Sequence, residues 1–263
     1  PYIMLAPAER VELWVDFSGR EVGSELVLQS LAFHGAAPSM GMGMRGQMGG
    51  GMEGESMGMM SGFAQGEQFP IAKFRITEKL SESPQLPQTL IKMNRLTVRD
   101  ASNGDRTIPI AISMAHMSWK LNGRSFEMEK VMDIEKIPVN TIQKIRIFHE
   151  NHSMHGGRGG MGGGMRGGRG GGMGMMMSMA HPIHLHGQQF QILSRAVTDK
   201  QESGYESVKQ GFINSGWKDT VLVMPGEEVT IIKPFEDYTG LYLYHCHNLE
   251  HEDLGMMRNF LVT

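Results

Sequence analysis

Cysteine is all but absent, since Cys246 is the only one in 263 residues. A single thiol excludes an internal disulfide framework and leaves a group whose presence calls for reactivity or metal binding as its reason. Long apolar runs are missing as well. No stretch approaches the roughly 18–20 consecutive apolar residues of a membrane-spanning helix. The opening Pro1-Tyr2-Ile3-Met4-Leu5-Ala6-Pro7 has neither a basic segment nor a cleavage pattern, so nothing in it reads as a targeting signal. Charge of one sign is not in excess, and the net charge of -3 gives no overall pull toward nucleic acid. Convincing long amphipathic helices are also lacking, which removes the helical bundle from consideration.

What is abundant is methionine and glycine, 25 and 35 residues. Sixteen of the methionines fall in two low-complexity tracts, 40–60 and 154–179, which interrupt an otherwise ordinary globular pattern. Chain of this composition loses too much entropy on ordering and buries too little to fold alone, so both tracts are expected to be surface insertions.

Around them the chain alternates with period two. Val11 to Phe17, Leu26 to Leu31 and Ile71 to Ile76 read as half-buried strands. Ser81 to Pro87 is polar and carries two prolines, so we expect residues 1–80, with an insertion at about 38–66, to be one unit, 81–89 a linker, and 90–263 a second unit. In that unit Thr107 to Ser113, Lys120 to Phe126 with its Asn-Gly turn, Thr141 to Phe148, Gln189 to Leu193, Thr220 to Met224, Glu228 to Ile232 and Gly240 to His245 are short and turn-punctuated. The pattern predicts an all-β Greek-key sandwich or barrel. The first unit has too few strands for a complete sandwich and reads as the back half of a preceding β-domain. Pro1 opens on strand-like sequence with no initiator Met, and we read the chain as a fragment.

Two motifs carry chemistry. His245-Cys246-His247-Asn248-Leu249-Glu250-His251-Glu252-Asp253-Leu254-Gly255-Met256 supplies thiolate, imidazole and thioether donors, which suit copper. His181-Pro182-Ile183-His184-Leu185-His186-Gly187 supplies the further imidazoles. On an extended chain neighbouring side chains point to opposite faces, so His184 and His186 share a face. The same rule sends His245 and His247 to one side and Cys246 to the other. The thiolate then serves one metal and its neighbours a second. Zinc, which does without a thioether, is the plainer alternative.

Together the motifs resemble the third and fourth copper motifs of the multicopper oxidases, H-P-x-H-L-H-G and H-C-H-x3-H-x4-M, as found in laccases and bacterial cuprous oxidases. The resemblance extends to Gly216-Trp217-Lys218-Asp219-Thr220-Val221 and, more loosely, to Leu5 to Phe17. It implies cupredoxin-like domains, the second-last of them only partly present. It also implies a type 1 copper on His181, Cys246, His251 and Met256, a type 2 ligand at His184, and type 3 ligands at His186, His245 and His247. Glu252 resembles the family's proton-passing acid. Such an enzyme oxidises Cu(I), in copper tolerance, or phenols and other small reductants, and reduces O2 to water with up to four copper ions. Family members are usually periplasmic or extracellular.

One part is missing. The family's oxygen-reducing cluster takes four more histidines from H-x-H motifs in a first domain, and the leftover His34, His116, His149, His152 and His155 contain no such pair. The resemblance therefore implies an N-terminal cupredoxin domain, on this or another chain. The tract ending at Met179 abuts His181, and thioethers select Cu(I), so Met114, Met177 and Met179 are candidates for Cu(I) recruitment. Met177 departs from the family, which has Asp there. Arg158, Arg166 and Arg169 among glycines also read as an RNA-binding segment, but the interleaved aromatics are absent and we expect no nucleic acid partner. The alternative function is a cupredoxin-like electron carrier or copper buffer that never reduces O2.

Overall fold

In the strand Thr141–His149 burial alternates, with Gln143, Ile145 and Ile147 inside and their neighbours half exposed. This is the pattern of a sheet packed on one face. The computed structural model describes residues 2–33, 66–82, 84–115, 118–150, 179–198 and 204–263. Within them lie β1 (Glu25–Ser30), β2 (Phe69–Arg75), β3 (Ile108–Ala115), β4 (Ser118–Leu121), β5 (Lys136–Ile137) and β6 (Thr141–His149). After these come β7 (His181–Leu185), β8 (Gln191–Val197), β9 (Thr220–Val223), β10 (Glu227–Phe235), β11 (Gly240–Cys246) and β12 (Met257–Val262). Two short helices, α1 (Gly204–Val208) and α2 (Leu249–Asp253), complete the set.

The larger unit is two five-stranded sheets, ordered β4-β3-β6-β10-β8 and β5-β12-β11-β7-β9. Most neighbours are antiparallel, while β3 with β6 and β5 with β12 run parallel. The all-β expectation is met. Ile110, Ile112, Ile145, Ile147, Val229 and Ile231 from one sheet face Ile183, Leu185, Val221, Tyr244, Cys246 and Phe260 from the other in a single core. The cysteine is thus a core residue. At the β4 hairpin Asn122 and Gly123 both have positive φ, 53° and 69°, the backbone that Asn-Gly adopts most readily.

A polar knot anchors β11 to its neighbours. Glu135, wholly buried, accepts from Arg258 Nε at 3.0 Å, from Arg258 Nη2 at 2.6 Å and from the Tyr244 hydroxyl at 2.5 Å. Tyr244 stacks on Phe260 with ring centroids 4.4 Å apart. Two residues further along the same strand is Cys246.

The smaller β1–β2 pair is an antiparallel ribbon. The strand expected at Val11 to Phe17 is not formed, for no described residue pairs with it and Trp14 and Val15 are each 54% exposed. Alternation makes a strand only where a ladder partner is at hand. The residues before it do have a place. Met4 N–H donates to the Gly211 carbonyl at 2.8 Å, Glu9 pairs with Lys218 at 2.5 Å and Arg10 with Asp219 at 2.5 Å. Residues 2–10 are thus fastened to the segment 211–219 that leads into β9. Both Met/Gly tracts lie outside the described residues, except for Gly66 and Met179 at their edges.

Candidate metal centre

The last turn of β11 and the loop after it fold back on themselves. His251 N–H donates to the Asn248 carbonyl, Met256 N–H to the His251 carbonyl, and Cys246 N–H to the Met256 carbonyl, all at 2.9–3.1 Å. Helix α2 thereby returns His251 to the cysteine it follows by five residues. His181, at the start of β7, reaches the same point from the neighbouring strand, because β7 pairs with β11 with Ile183 opposite Cys246. The Cys246 sulfur lies 3.6 Å from His181 Nδ1 and 3.5 Å from His251 Nδ1. All three residues are buried, and Met256 is buried in the same core. The Trp119 ring walls the group, 4.4 Å from His181 and 5.5 Å from His251 by ring centroids.

These spacings suit one metal ion. With metal–nitrogen bonds of ~2.0 Å and a metal–sulfur bond of ~2.3 Å at tetrahedral angles, donors sit roughly 3.3–3.6 Å apart. The protonation states suit it too. Burial, reinforced by His149 and His251, holds the His181 imidazolium well below its ordinary range, so the ring is neutral and its lone pair is free. Burial pushes the Cys246 thiol up to about 12, which leaves the thiolate without a counter-charge that a cation would supply. His181 Nε2 is buried with no hydrogen-bond partner. Two imidazoles, one thiolate and a buried thioether make a donor set preferred by copper rather than by hard cations.

A second group stands on the other face of the same strands. His184, His186 and His245 bring ligand nitrogens within 4.8 Å of one another. His186 Nε2 and His245 Nε2 are 3.3 Å apart. His247 stands at the edge of the group, its ring 5.2 Å from that of His245 and 5.8 Å from that of His184. Two of the rings are held from behind. His184 Nδ1 meets the Thr220 hydroxyl at 2.9 Å, and His245 Nδ1 lies 3.1 Å from the Cys246 carbonyl and 3.4 Å from Glu252 Oε2. Both contacts leave the Nε2 edges for the group itself. Burial first, then neighbouring imidazoles, lower the pKa of His184 and of His186, so both rings are neutral at pH 7.

Three residues near these groups were given no role by the sequence, although Asp219 lies in the Gly216 to Val221 segment quoted for the resemblance. Lys233 is wholly buried, donates to the Gln188 carbonyl, and is pushed down to about 7 by burial. Asp219 takes the Arg10 guanidinium at 2.5 Å and approaches His184 Nδ1 at 3.9 Å. His149, counted only as a leftover, stands with its ring 5.3 Å from that of His181, and burial pushes its imidazolium down to about 4. No spacing in the sequence signals Lys233 or His149. Met114 and Met179 are partly buried against the core, whereas Met177, His34, His116, His152 and His155 lie outside the described residues.

Comparison with known proteins agrees with this geometry. The multicopper oxidase family model matches residues 101–263, more than half of the chain. A laccase of Bacillus subtilis is 43% identical over 91 residues, 32% of this chain and 18% of that protein. A multicopper oxidase of Staphylococcus aureus is 43% identical over 88 residues, 34% of this chain and 17% of that protein. Among solved structures, the multicopper oxidase of the hyperthermophile Aquifex aeolicus superposes with a TM-score of 0.62 at 23% identity, covering 95% of this chain and 42% of that one. The chain thus spans less than half of the proteins it matches, and its fold is the cupredoxin-like one of those enzymes. With the matched region holding both donor groups, the chain belongs to the multicopper oxidase family.

Proposed function

We propose that this chain is the electron-entry part of a copper-dependent oxidase. In this reading His181, Cys246, His251 and Met256 hold a type 1 copper, His184 is a type 2 ligand, and His186, His245 and His247 are type 3 ligands. A reductant, Cu(I) or a phenol, gives up one electron at a time, and O2 is reduced to water. The observation that carries the proposal is the division of β11. Cys246 faces one donor group while His245, next to it, faces the other. A carrier or copper buffer has no use for the second group.

Bound copper would supply the reversible one-electron chemistry that no side chain here possesses. The chain's own residues supply the rest. The Cys246–His245 peptide is a short covalent path between the two groups. Trp119 and the apolar core keep water from the Cys246 sulfur, which lowers the rearrangement needed when charge arrives. Glu252 has the position to hold a proton beside His245. A copper held by these residues would have a lower potential with the Met256 thioether among its donors than with an apolar residue in that place.

The group of three histidines is open on one side, since His184 is half-buried and His186 exposed. That opening supports a partner domain carrying the four remaining histidines, on this or another chain. No helix among the described residues is long and apolar enough to cross a membrane. We place the enzyme in the periplasm or outside the cell, where copper tolerance is served, on the strength of the family resemblance.

The test is copper counting with oxygen uptake on the full-length protein. An oxidase binds about four coppers per active unit and consumes one O2 per four electrons; a carrier binds one and consumes none. Deleting 154–178 separates the substrates. Loss of cuprous oxidation with phenol oxidation spared or raised supports Cu(I) as the donor, and equal loss of both removes it.

A further inference from the structure

Strand β10 turns a lysine toward the core. Val229, Ile231 and Phe235 are buried where the two sheets meet, and Lys233 continues their alternation, opposite Gln143 of β6. Its side chain is wholly buried, and its Nζ lies 5.2 Å from the centroid of the Phe235 ring. No carboxylate among the described residues pairs with it, and Asp219, whose charge it feels, is already bound by Arg10. An ammonium without an ion pair is among the costliest groups a core can hold, and an unbranched apolar side chain such as Met would fill the space without that cost. Packing does not account for a lysine here.

Its partner gives it a reason. The ammonium crosses to the other sheet and donates to the Gln188 carbonyl, two residues past His186. Thr220 stands behind the His184 ring, and the Cys246 carbonyl behind that of His245. The His186 ring has no such backing among the described residues, for its polar contact is with His245 Nε2 across the group. It also lies beyond Leu185, the last residue of β7. Its place is therefore set through the backbone. The His186 N–H donates to the Leu243 carbonyl at 2.9 Å. Gly187, at a φ of 84°, is so close to the Tyr242 ring that a Cβ there would come within 2.8 Å of it. The Gln188 side chain donates to the Glu236 carbonyl at 2.7 Å, while Lys233 grips the Gln188 carbonyl from within.

We propose that Lys233 is a positioning residue for His186, fixing from inside the core the turn that aims this ring at the space it shares with His184 and His245. It acts through Gln188 and Gly187 rather than on the ring. The inference deepens the proposed function, on which it rests only for the ion that His186 would hold.

Lys233→Met in the full-length protein separates positioning from packing, because the two predict different signs. Urea unfolding of the metal-free variant is expected at the same or a higher midpoint, since a buried charge has given way to an apolar chain of similar size. Copper affinity at the three-histidine group, measured by competition with a chelator, is expected to fall about 10–100-fold while the blue absorption of the Cys246 group is kept. Amide hydrogen exchange at 186–188 in the metal-free protein should quicken about tenfold or more. Should Lys233→Met not fold, the same readings are taken on Lys233→Gln, which keeps an N–H donor without the charge, and the changes are expected there in smaller measure. Unchanged copper affinity in a folded variant, or unchanged exchange at 186–188, overturns the proposal. A midpoint that falls in step with the affinity overturns it too, since packing would then account for both. The exchange measurement needs no metal. An unmodified protein that takes up no copper at the three-histidine group therefore sinks the oxidase reading and leaves exchange to decide the role of Lys233.

Discussion

His184 gives its Nδ1 edge to the Thr220 hydroxyl, 2.9 Å away, and so keeps its Nε2 edge for the space it shares with His186 and His245. The two residues lie opposite each other in the β7–β9 ladder, and the same hydroxyl reaches Asp219 Oδ1 at 3.2 Å. Asp219 is in turn tied to Arg10. The ring's orientation is therefore set by a chain of contacts that begins near the start of the sequence.

Thr220→Val tests that chain of contacts. Valine fills the same volume but offers nothing to Nδ1, so His184 is free to turn. Copper affinity at the group holding His184 is expected to fall by about 10–100-fold. Electron paramagnetic resonance of the copper-loaded full-length protein would show loss of the type 2 signal with the blue absorption unchanged. An unaltered type 2 signal means that Thr220 does not position His184.

Met256→Leu keeps the buried volume, so a stability cost under about 1.5 kcal/mol is expected. The thioether is what disappears. The reduction potential of the Cys246 centre should rise, as read by redox titration of its blue absorption. A potential that stays put or falls shows that Met256 is a packing residue only.

Strand alternation is local, which is why the division of β11 was legible from His245-Cys246-His247 alone. Pairings of distant residues were not. Glu135, Tyr244 and Arg258 come together over separations of 109 and 123 residues, and nothing in their own neighbourhoods announces it. His149 offers the same lesson, because its place beside His181 follows from β6 ending next to β7's first residue rather than from any H-x-H spacing. Val11 to Phe17 shows the reverse case, a local pattern with no ladder partner among the described residues to make it a strand.

The buried Glu135 knot gives a pH-dependent stability with a defined sign. Burial alone would raise the Glu135 carboxyl, but Arg258, the Met132 amide and the Tyr244 hydroxyl outweigh it and hold it below its ordinary value. A depressed carboxylate contributes fully above its unfolded pKa and loses that contribution as pH falls through the folded value. Glu135→Gln leaves Arg258 charged and buried without its partner, at a cost of about 3–5 kcal/mol near neutral pH. Urea unfolding of the metal-free chain should show that deficit at pH 7 and a smaller one in acid. A deficit independent of pH would mean that the loss is one of packing.

Among the described residues two carboxylates approach the three-histidine group, and Glu252, 3.4 Å from His245, stands nearer than Asp219, 3.9 Å from His184. The Glu252 carboxylate faces His245 Nδ1 from the short helix that also returns His251 to Cys246, and its side chain is 31% exposed. It therefore touches both solvent and the ring. Glu252→Gln keeps the size and a hydrogen bond but carries no proton. In the full-length enzyme, anaerobic bleaching of the blue absorption by a reductant should be unchanged, because the Cys246 group is untouched. Its return on mixing with O2 should slow by about 10²–10⁴-fold, the usual worth of a positioned acid or base. The slowing should deepen as pH rises and protons from solvent become scarce. If both phases keep their rates, Glu252 is a solvated side chain that happens to face His245. If both slow together, the substitution has disturbed the loop from Cys246 to Met256 instead, and the two phases separate those cases in one experiment.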